Sequence, residues 1–166
     1  MTIDQRFSEG SILYFSPFIF PDGGAPKPKY FLVLKHTTET LLLASLPTSK
    51  DSVPSLFKKA HGCIDDAGIN FNCYYFDPHV VVCGNGFSFP VETYVYGFRV
   101  KEFNFEVFIQ QENDGRTTIT EKGILTDEEY KAVIQCLVAS KSVKRAYRRL
   151  LETNYRLKMY ETNKSH

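Results

Sequence analysis

Two short stretches of this 166-residue chain hold the side chains best suited to chemistry. Lys27 and Lys29 close a glycine- and proline-rich loop that begins at Pro21, and Leu46-Pro47-Thr48-Ser49-Lys50 follows one strand later. If both segments lie at one rim of the fold, Lys27, Lys29 and Lys50 form a cationic site with Thr48 and Ser49 as hydroxyl donors. Such a site suits a phosphodiester, because an ammonium group offsets the charge that develops on a phosphoryl oxygen while a hydroxyl donates a hydrogen bond. RNA carries its own nucleophile in the 2′-hydroxyl, so cleavage needs only the alignment of that oxygen with phosphorus. The same residues read equally as surface lysines in a loop, with a threonine capping the next turn.

Other chemistries have less support. The chain has no P-loop, no dinucleotide fingerprint, no His-Glu-x-x-His and no Gly-x-Ser-x-Gly. His36, His61 and His79 are possible acids or bases, but their spacing selects none of them. The four cysteines, Cys63, Cys73, Cys83 and Cys136, are expected to be free, buried thiols, since the N-terminus lacks the basic-then-apolar order of an export signal. Cys73, His79 and Cys83 lie close together without a C-x₂-C pair, so neither a metal nor another cofactor is expected. Tyr94 and Tyr96 could bond or stack a base, although aromatics on strands more often face a core.

Composition and patterning set the frame for these residues. An apolar fraction of 43% with 23% charged residues matches a soluble globular domain, and no apolar run is long enough to cross a bilayer. A soluble, cytoplasmic protein is therefore expected. From Lys141 to His166 there are eight Lys or Arg against two Glu, so the near-neutral whole hides a basic end on a net acidic body. That end could meet nucleic acid or an acidic protein, or simply be a solvated helix face.

Short aromatic and β-branched runs fill the first two thirds of the chain. Strands are predicted at 11–15, 30–34, 40–45, 73–76, 79–83, 87–100, 103–109 and 117–120, with turns at Gly84-Asn85-Gly86 and Asn113-Asp114-Gly115. The period then changes. Thr126 caps a helix with Glu129 as its capping-box partner, Leu125 and Tyr130 form a staple, and Tyr130, Val133, Ile134, Leu137 and Val138 recur at helical spacing. Ser140-Lys141-Ser142 is a break, after which Val143, Ala146, Tyr147, Leu150 and Leu151 mark a second helical face. The expected fold is mainly β, a small antiparallel barrel over 1–123 followed by a helical, basic extension over 124–166.

The order of these pieces resembles the N-terminal half of the MazF/PemK/Kid family of toxin endoribonucleases. The resemblance rests on Gly10-Ser11-Ile12-Leu13-Tyr14-Phe15, then a Gly-rich loop, then Lys29-Tyr30-Phe31-Leu32-Val33-Leu34, then Leu46-Pro47-Thr48-Ser49-Lys50. It implies an SH3-like barrel, often a homodimer, that cuts single-stranded mRNA without metal and is neutralised by an antitoxin protein. It places Lys29 where the family's phosphate-stabilising arginine usually stands, Thr48 on the conserved threonine and Ser49 on the serine that often follows. Lysine keeps that charge without the planar, bidentate fork of arginine. Later in the chain, Tyr96-Gly97-Phe98-Arg99 stands where some members carry Asp-Gln-x-Arg, so Arg99 is matched and the acidic residue is not. The resemblance thus implies Lys29, Thr48 and Ser49 as catalytic residues and Lys27, Lys50, Tyr96 and Arg99 as RNA-binding ones. The alternative is a non-catalytic barrel of the same family that binds RNA or protein.

Overall fold

In the computed structural model, residues 4–47, 60–66, 68 and 71–152 are described. The apolar runs of the N-terminal half form three long neighbouring strands: β1 (Ser11–Phe18), β2 (Lys27–His36) and β3 (Thr40–Leu46). They are followed by β4 (Gly62–Asp66), β5 (Phe71–Phe76), β6 (Thr93–Tyr96) and, after a 3-10 turn at Gly97–Arg99, β7 (Val100–Asn104). Helix α1 (Phe105–Asn113), strand β8 (Thr118–Ile124) and helix α2 (Asp127–Val138) complete the named elements, and helical structure continues at 145–152.

The fold is mainly β and antiparallel, with helices at its C-terminal end. One sheet has five strands in the order β7-β3-β2-β1-β8, and a smaller sheet has the order β4-β5-β6. Hydrogen bonds among the described residues do not join the two sheets into one closed ring. The chain nevertheless passes directly from β6 through the 3-10 turn into β7, and the Tyr94 amide donates to the Pro47 carbonyl at 3.3 Å, linking the smaller sheet to the end of β3.

Both faces of the five-stranded sheet are covered, which explains why β2 and β3 read as continuous apolar runs rather than alternating ones. On one face Ile12, Leu32, Leu34, Leu42 and Ala44 pack with Tyr74, Phe76 and Val95 of the smaller sheet and with Tyr130, Val133, Ile134 and Leu137 of α2. Val143 and Leu151 join this same cluster, so the basic extension shares the core of the strands. On the other face Phe7, Leu13, Phe15, Phe18, Phe31, Val33, Leu41 and Leu43 pack against Phe108 of α1.

Several expected elements take a different form. Residues 103–109 divide between β7 and α1, because Phe105, Phe108 and Ile109 also satisfy helical spacing and the Asn104 side chain accepts from the Glu106 amide at 2.9 Å, capping a helix. Asn113-Asp114-Gly115 accordingly ends a helix instead of turning a hairpin. Gly115 takes the left-handed conformation (φ 73°) common just past a helix C-terminus, and its amide donates to the Glu112 carbonyl at 3.0 Å. The turn at Gly84-Asn85-Gly86 is present, but 79–83 beside it forms only a single bridge, Cys83 to Leu125. Of 87–100, only Thr93–Tyr96 and Val100 are strand. Strand β4 has one fully inward apolar residue, Ile64, and its polar sequence concealed it.

The cysteines also differ from expectation. Cys63 on β4 and Cys136 on α2 are disulfide-bonded across a sequence separation of 73, while Cys73 and Cys83 are free and buried. Pairing required β4 to lie against α2, a contact that no local spacing encodes. Thr126 does cap α2, with its hydroxyl accepting from the Glu129 amide at 3.3 Å. The Glu129 carboxylate turns elsewhere, towards His61 and Tyr74, so the capping box is half formed.

A polar clasp fastens the N-terminal 3-10 turn at Gln5–Phe7 to α1 and β8. The Arg6 guanidinium grips Glu112 with two bonds of 2.8 and 2.7 Å, holds Asp4 at 2.8 Å and donates to the Ile119 carbonyl at 2.8 Å. Bonding to Arg6 pulls both the Asp4 and Glu112 carboxyls below their usual range. The unfolded chain therefore takes up these protons first as pH falls, and the clasp's contribution is lost in that direction. Arg6→Ala should cost about 2–3 kcal/mol at neutral pH, by loss of partly buried charge-assisted bonds. In urea titrations the gap between the two proteins should be constant above roughly pH 5 and shrink below about pH 4, where ordinary carboxyls protonate. A gap that widened with acid would contradict this assignment.

Candidate nucleic-acid interface

The loop lysines and the late arginine meet at one end of the five-stranded sheet. Residues of β2 alternate faces, so Lys27 and Lys29 point to the same side as Phe31. Phe31 pairs with Ser45 on β3, and Leu43 of β3 pairs with Lys101 on β7, which sets Lys101 on that face as well. Arg99 lies in the 3-10 turn just before Val100, itself paired with Ala44. Strand register alone thus gathers Lys27, Lys29, Arg99 and Lys101 along one margin.

An aromatic ring props up the two loop lysines. The Phe20 ring, in the connection between β1 and β2, lies 5.1 Å from the Lys29 ammonium and 5.7 Å from that of Lys27. Phe20 stands edge-on to Phe18 at 5.0 Å, and so is anchored to the core. Burial lowers the Lys29 pKa, and the charges of Arg99, Lys27 and Lys101 lower it further. Among the described residues no carboxylate forms an ion pair with any of these four cations. Two polar atoms on this margin are also buried without a partner, Ser45 Oγ and Arg99 Nε. A concentration of positive charge without a paired carboxylate is what an anionic ligand requires.

Of the residues singled out in the sequence, Lys27, Lys29 and Arg99 are brought together here. Thr48, Ser49 and Lys50 lie outside the described residues. The described chain leaves β3 beside Lys29, because Leu46 pairs with Tyr30, the next residue of β2. Tyr96 is buried, 2% exposed, with its ring between those of Tyr94 and Phe98, so it offers no face to a base. The exposed ring at this place is Phe98, at 59%. Lys101, Ser45, Phe20 and Phe98 were all missed in the sequence. Their signal was the strand register, which becomes visible only once β3 and β7 are known to pair.

The turn that carries Phe98 and Arg99 is clamped from behind. A Cβ at Gly97 would stand 2.5 Å from Ser142 Oγ and 2.8 Å from Ser140 Oγ, so only glycine allows the connection after α2 to approach this closely. Ser140 and Ser142 are bonded to each other at 2.7 Å. The serine break expected from the sequence therefore sits against the candidate interface.

Two other clusters have a different character. His61 lies between the Asp77 amide, which donates to Nδ1 at 3.1 Å, and Glu129, 2.6 Å from Nε2. Tyr74 donates to the same Glu129 oxygen at 2.7 Å, and burial raises its pKa further from use. Both imidazole nitrogens are occupied, so the group ties the smaller sheet to α2 and leaves no ring nitrogen to serve as a base. The Cys83 thiol is pushed up to about 12 by burial, with Glu121 and Glu129 adding to the shift, and is inert as a nucleophile.

A concavity of about 1070 Å³ lies at the other end of β2. It has Phe7, Phe105 and Ile109 in its wall and Asp4, Lys35, His36 and Glu106 among its polar residues. Its mixed charge, with Asp4 committed to Arg6, gives it no preference for phosphate, and the chemistry favours the cationic margin. Among the described residues no helix is long and apolar enough to cross a membrane. Comparison of the chain with models of protein families, with curated proteins and with solved structures finds no match.

Proposed function

We propose that this protein binds single-stranded RNA along the Lys27–Lys29–Arg99–Lys101 margin and cleaves it there, as a toxin-like endoribonuclease of a toxin–antitoxin system. The observation that carries the reading is the convergence of these cations, without an ion-paired carboxylate among the described residues, where β3 leaves the sheet beside Lys29. The 2′-oxygen attacks phosphorus, the bond to the 5′-oxygen breaks, and the hydroxyl proton passes to solvent while the leaving oxygen gains one. The products are a 2′,3′-cyclic phosphate and a 5′-hydroxyl. Lys29 stabilises the charge on the phosphoryl oxygens, and Lys27, Lys50 and Arg99 guide the backbone. Thr48 and Ser49 orient the scissile phosphate, a role that enters from the sequence resemblance. A cytoplasmic setting, an antitoxin protein and a homodimer belong to the same proposal.

One observation favours a second reading, a barrel that binds RNA or protein without cutting. Position 29 offers a single ammonium, which cannot hold two phosphate oxygens as a guanidinium fork does. Incubation with single-stranded RNAs of varied sequence, in EDTA, separates the two. Fragments ending in cyclic phosphate and 5′-hydroxyl support the enzyme. Salt-dependent binding with no fragments supports the non-catalytic barrel. Absence of RNA binding at low salt removes the enzyme and the RNA-binding barrel, and leaves only a barrel that binds protein.

A further inference from the structure

Phe98 places a large apolar ring in a tight turn with more than half its surface in water. Behind it runs a column of aromatic rings. Tyr75 and Tyr94 have centroids 5.4 Å apart, Tyr94 and Tyr96 are stacked at 5.7 Å and 11°, and Tyr96 and Phe98 at 5.4 Å and 17°. The three tyrosines are almost wholly buried, so the column fixes the plane of its outermost ring. The close approach of Ser140 and Ser142 to Gly97 fixes the backbone beneath it.

The neighbouring cation is equally well placed. The Arg99 guanidinium lies 5.5 Å from the Phe98 ring centroid, and its Nε has no hydrogen-bond partner. From Arg99 the cationic margin continues to Lys101 on β7 and to Lys29 on β2. A rigid exposed ring beside a track of positive charge is the arrangement by which single-stranded nucleic acid is held: bases stack on the ring and phosphates follow the charge.

We propose that Phe98 is a base-stacking platform: an unpaired base of the RNA lies on its exposed side, and the Arg99 guanidinium, now over the ring, turns to the adjoining phosphates, which run on towards Lys29. The inference rests on the RNA-binding reading above and adds a reason for single strands to be chosen. A duplex keeps its base faces stacked inside and has none to offer Phe98. Stacking on a phenyl ring is tolerant of base identity, so the platform selects unpaired structure over sequence.

The test measures binding of three labelled probes at fixed salt: a short oligouridine, an abasic oligomer of the same length and the corresponding duplex. Phe98→Ala should weaken oligouridine binding by about 5- to 150-fold, the range for one stacked base, and leave the abasic oligomer unchanged. Phe98→Tyr should restore the loss. The salt dependence should be the same in Phe98→Ala as in wild type, whereas Lys29→Ala should lower its slope by about one. If Phe98→Ala binds oligouridine like wild type while Lys29→Ala is weakened, the platform is refuted and the cationic margin stands. Equal weakening towards the abasic oligomer also refutes it, since the ring would then be acting on the fold. Failure of the wild type to bind any probe at low salt overturns both inferences together.

Discussion

With Cys63 and Cys136 both replaced by serine, the protein should lose about 4 kcal/mol of its unfolding free energy relative to the oxidised parent. The two cysteines are 73 residues apart in sequence, and closing a loop of that length in the unfolded chain removes entropy worth roughly that amount. The bond joins β4, at the margin of the smaller sheet, to α2. Nearby, the Asn72 side chain reaches both the Cys136 carbonyl at 3.2 Å and Asp65 at 3.3 Å. Urea unfolding with and without reductant gives the readout. Reduction should bring the parent down to the serine variant, which itself ignores reductant. A parent whose midpoint is indifferent to reductant would show that the cross-link contributes nothing. Thiol titration in denaturant checks the pairing directly, since only Cys73 and Cys83 should react before reduction.

Lys29→Ala should lower the cleavage rate by about 10²- to 10³-fold, the usual cost of removing one group that stabilises developing charge. Its surroundings sharpen the prediction. Burial and the charges of Arg99, Lys27 and Lys101 hold the Lys29 pKa below the ordinary 10.5, so the cation is lost as pH rises through a value lower than that of a free lysine. Activity should therefore fall on an alkaline limb below pH 10.5, and Lys29→Arg should push that limb upward, because a guanidinium keeps its proton. A variant without the ammonium that cuts as fast as wild type would remove Lys29 from the chemistry.

Elements whose local signals agree with their tertiary environment were readable from the sequence. β1, β2 and β3 are apolar runs because both faces of their sheet are covered, and α2 begins at Thr126 because its hydroxyl caps the Glu129 amide. Where two local patterns compete, a contact elsewhere decides. Phe103 and Phe105 alternate like a strand, while Phe105, Phe108 and Ile109 repeat like a helix, and the Asn104 cap with the burial of Phe108 settles the matter for the helix. Glu129 could reach back to its own helix start or across to His61 and Tyr74, and it takes the partners across the fold.

The candidate interface divides in the same way. Lys27 and Lys29 stand out in sequence through their loop, and Arg99 through the resemblance, but Lys101 and Phe98 acquire meaning only from the pairing of β3 with β7. Tyr96 looked like an available ring because strand alternation cannot tell which side of a small sheet is covered. The exposed aromatic lies two residues on, where the 3-10 turn interrupts the alternation.

Because α1, α2, the smaller sheet and aromatic side chains cover both broad surfaces of the main sheet, neither of these is an open plain on which a polymer could lie flat. A nucleic-acid strand would meet it end-on, crossing the tips of β2, β3 and β7 and leaving again within a few nucleotides. Such a footprint would be too short to read a long message, and discrimination among RNAs would rest on whether the few nucleotides on that narrow ledge are unpaired.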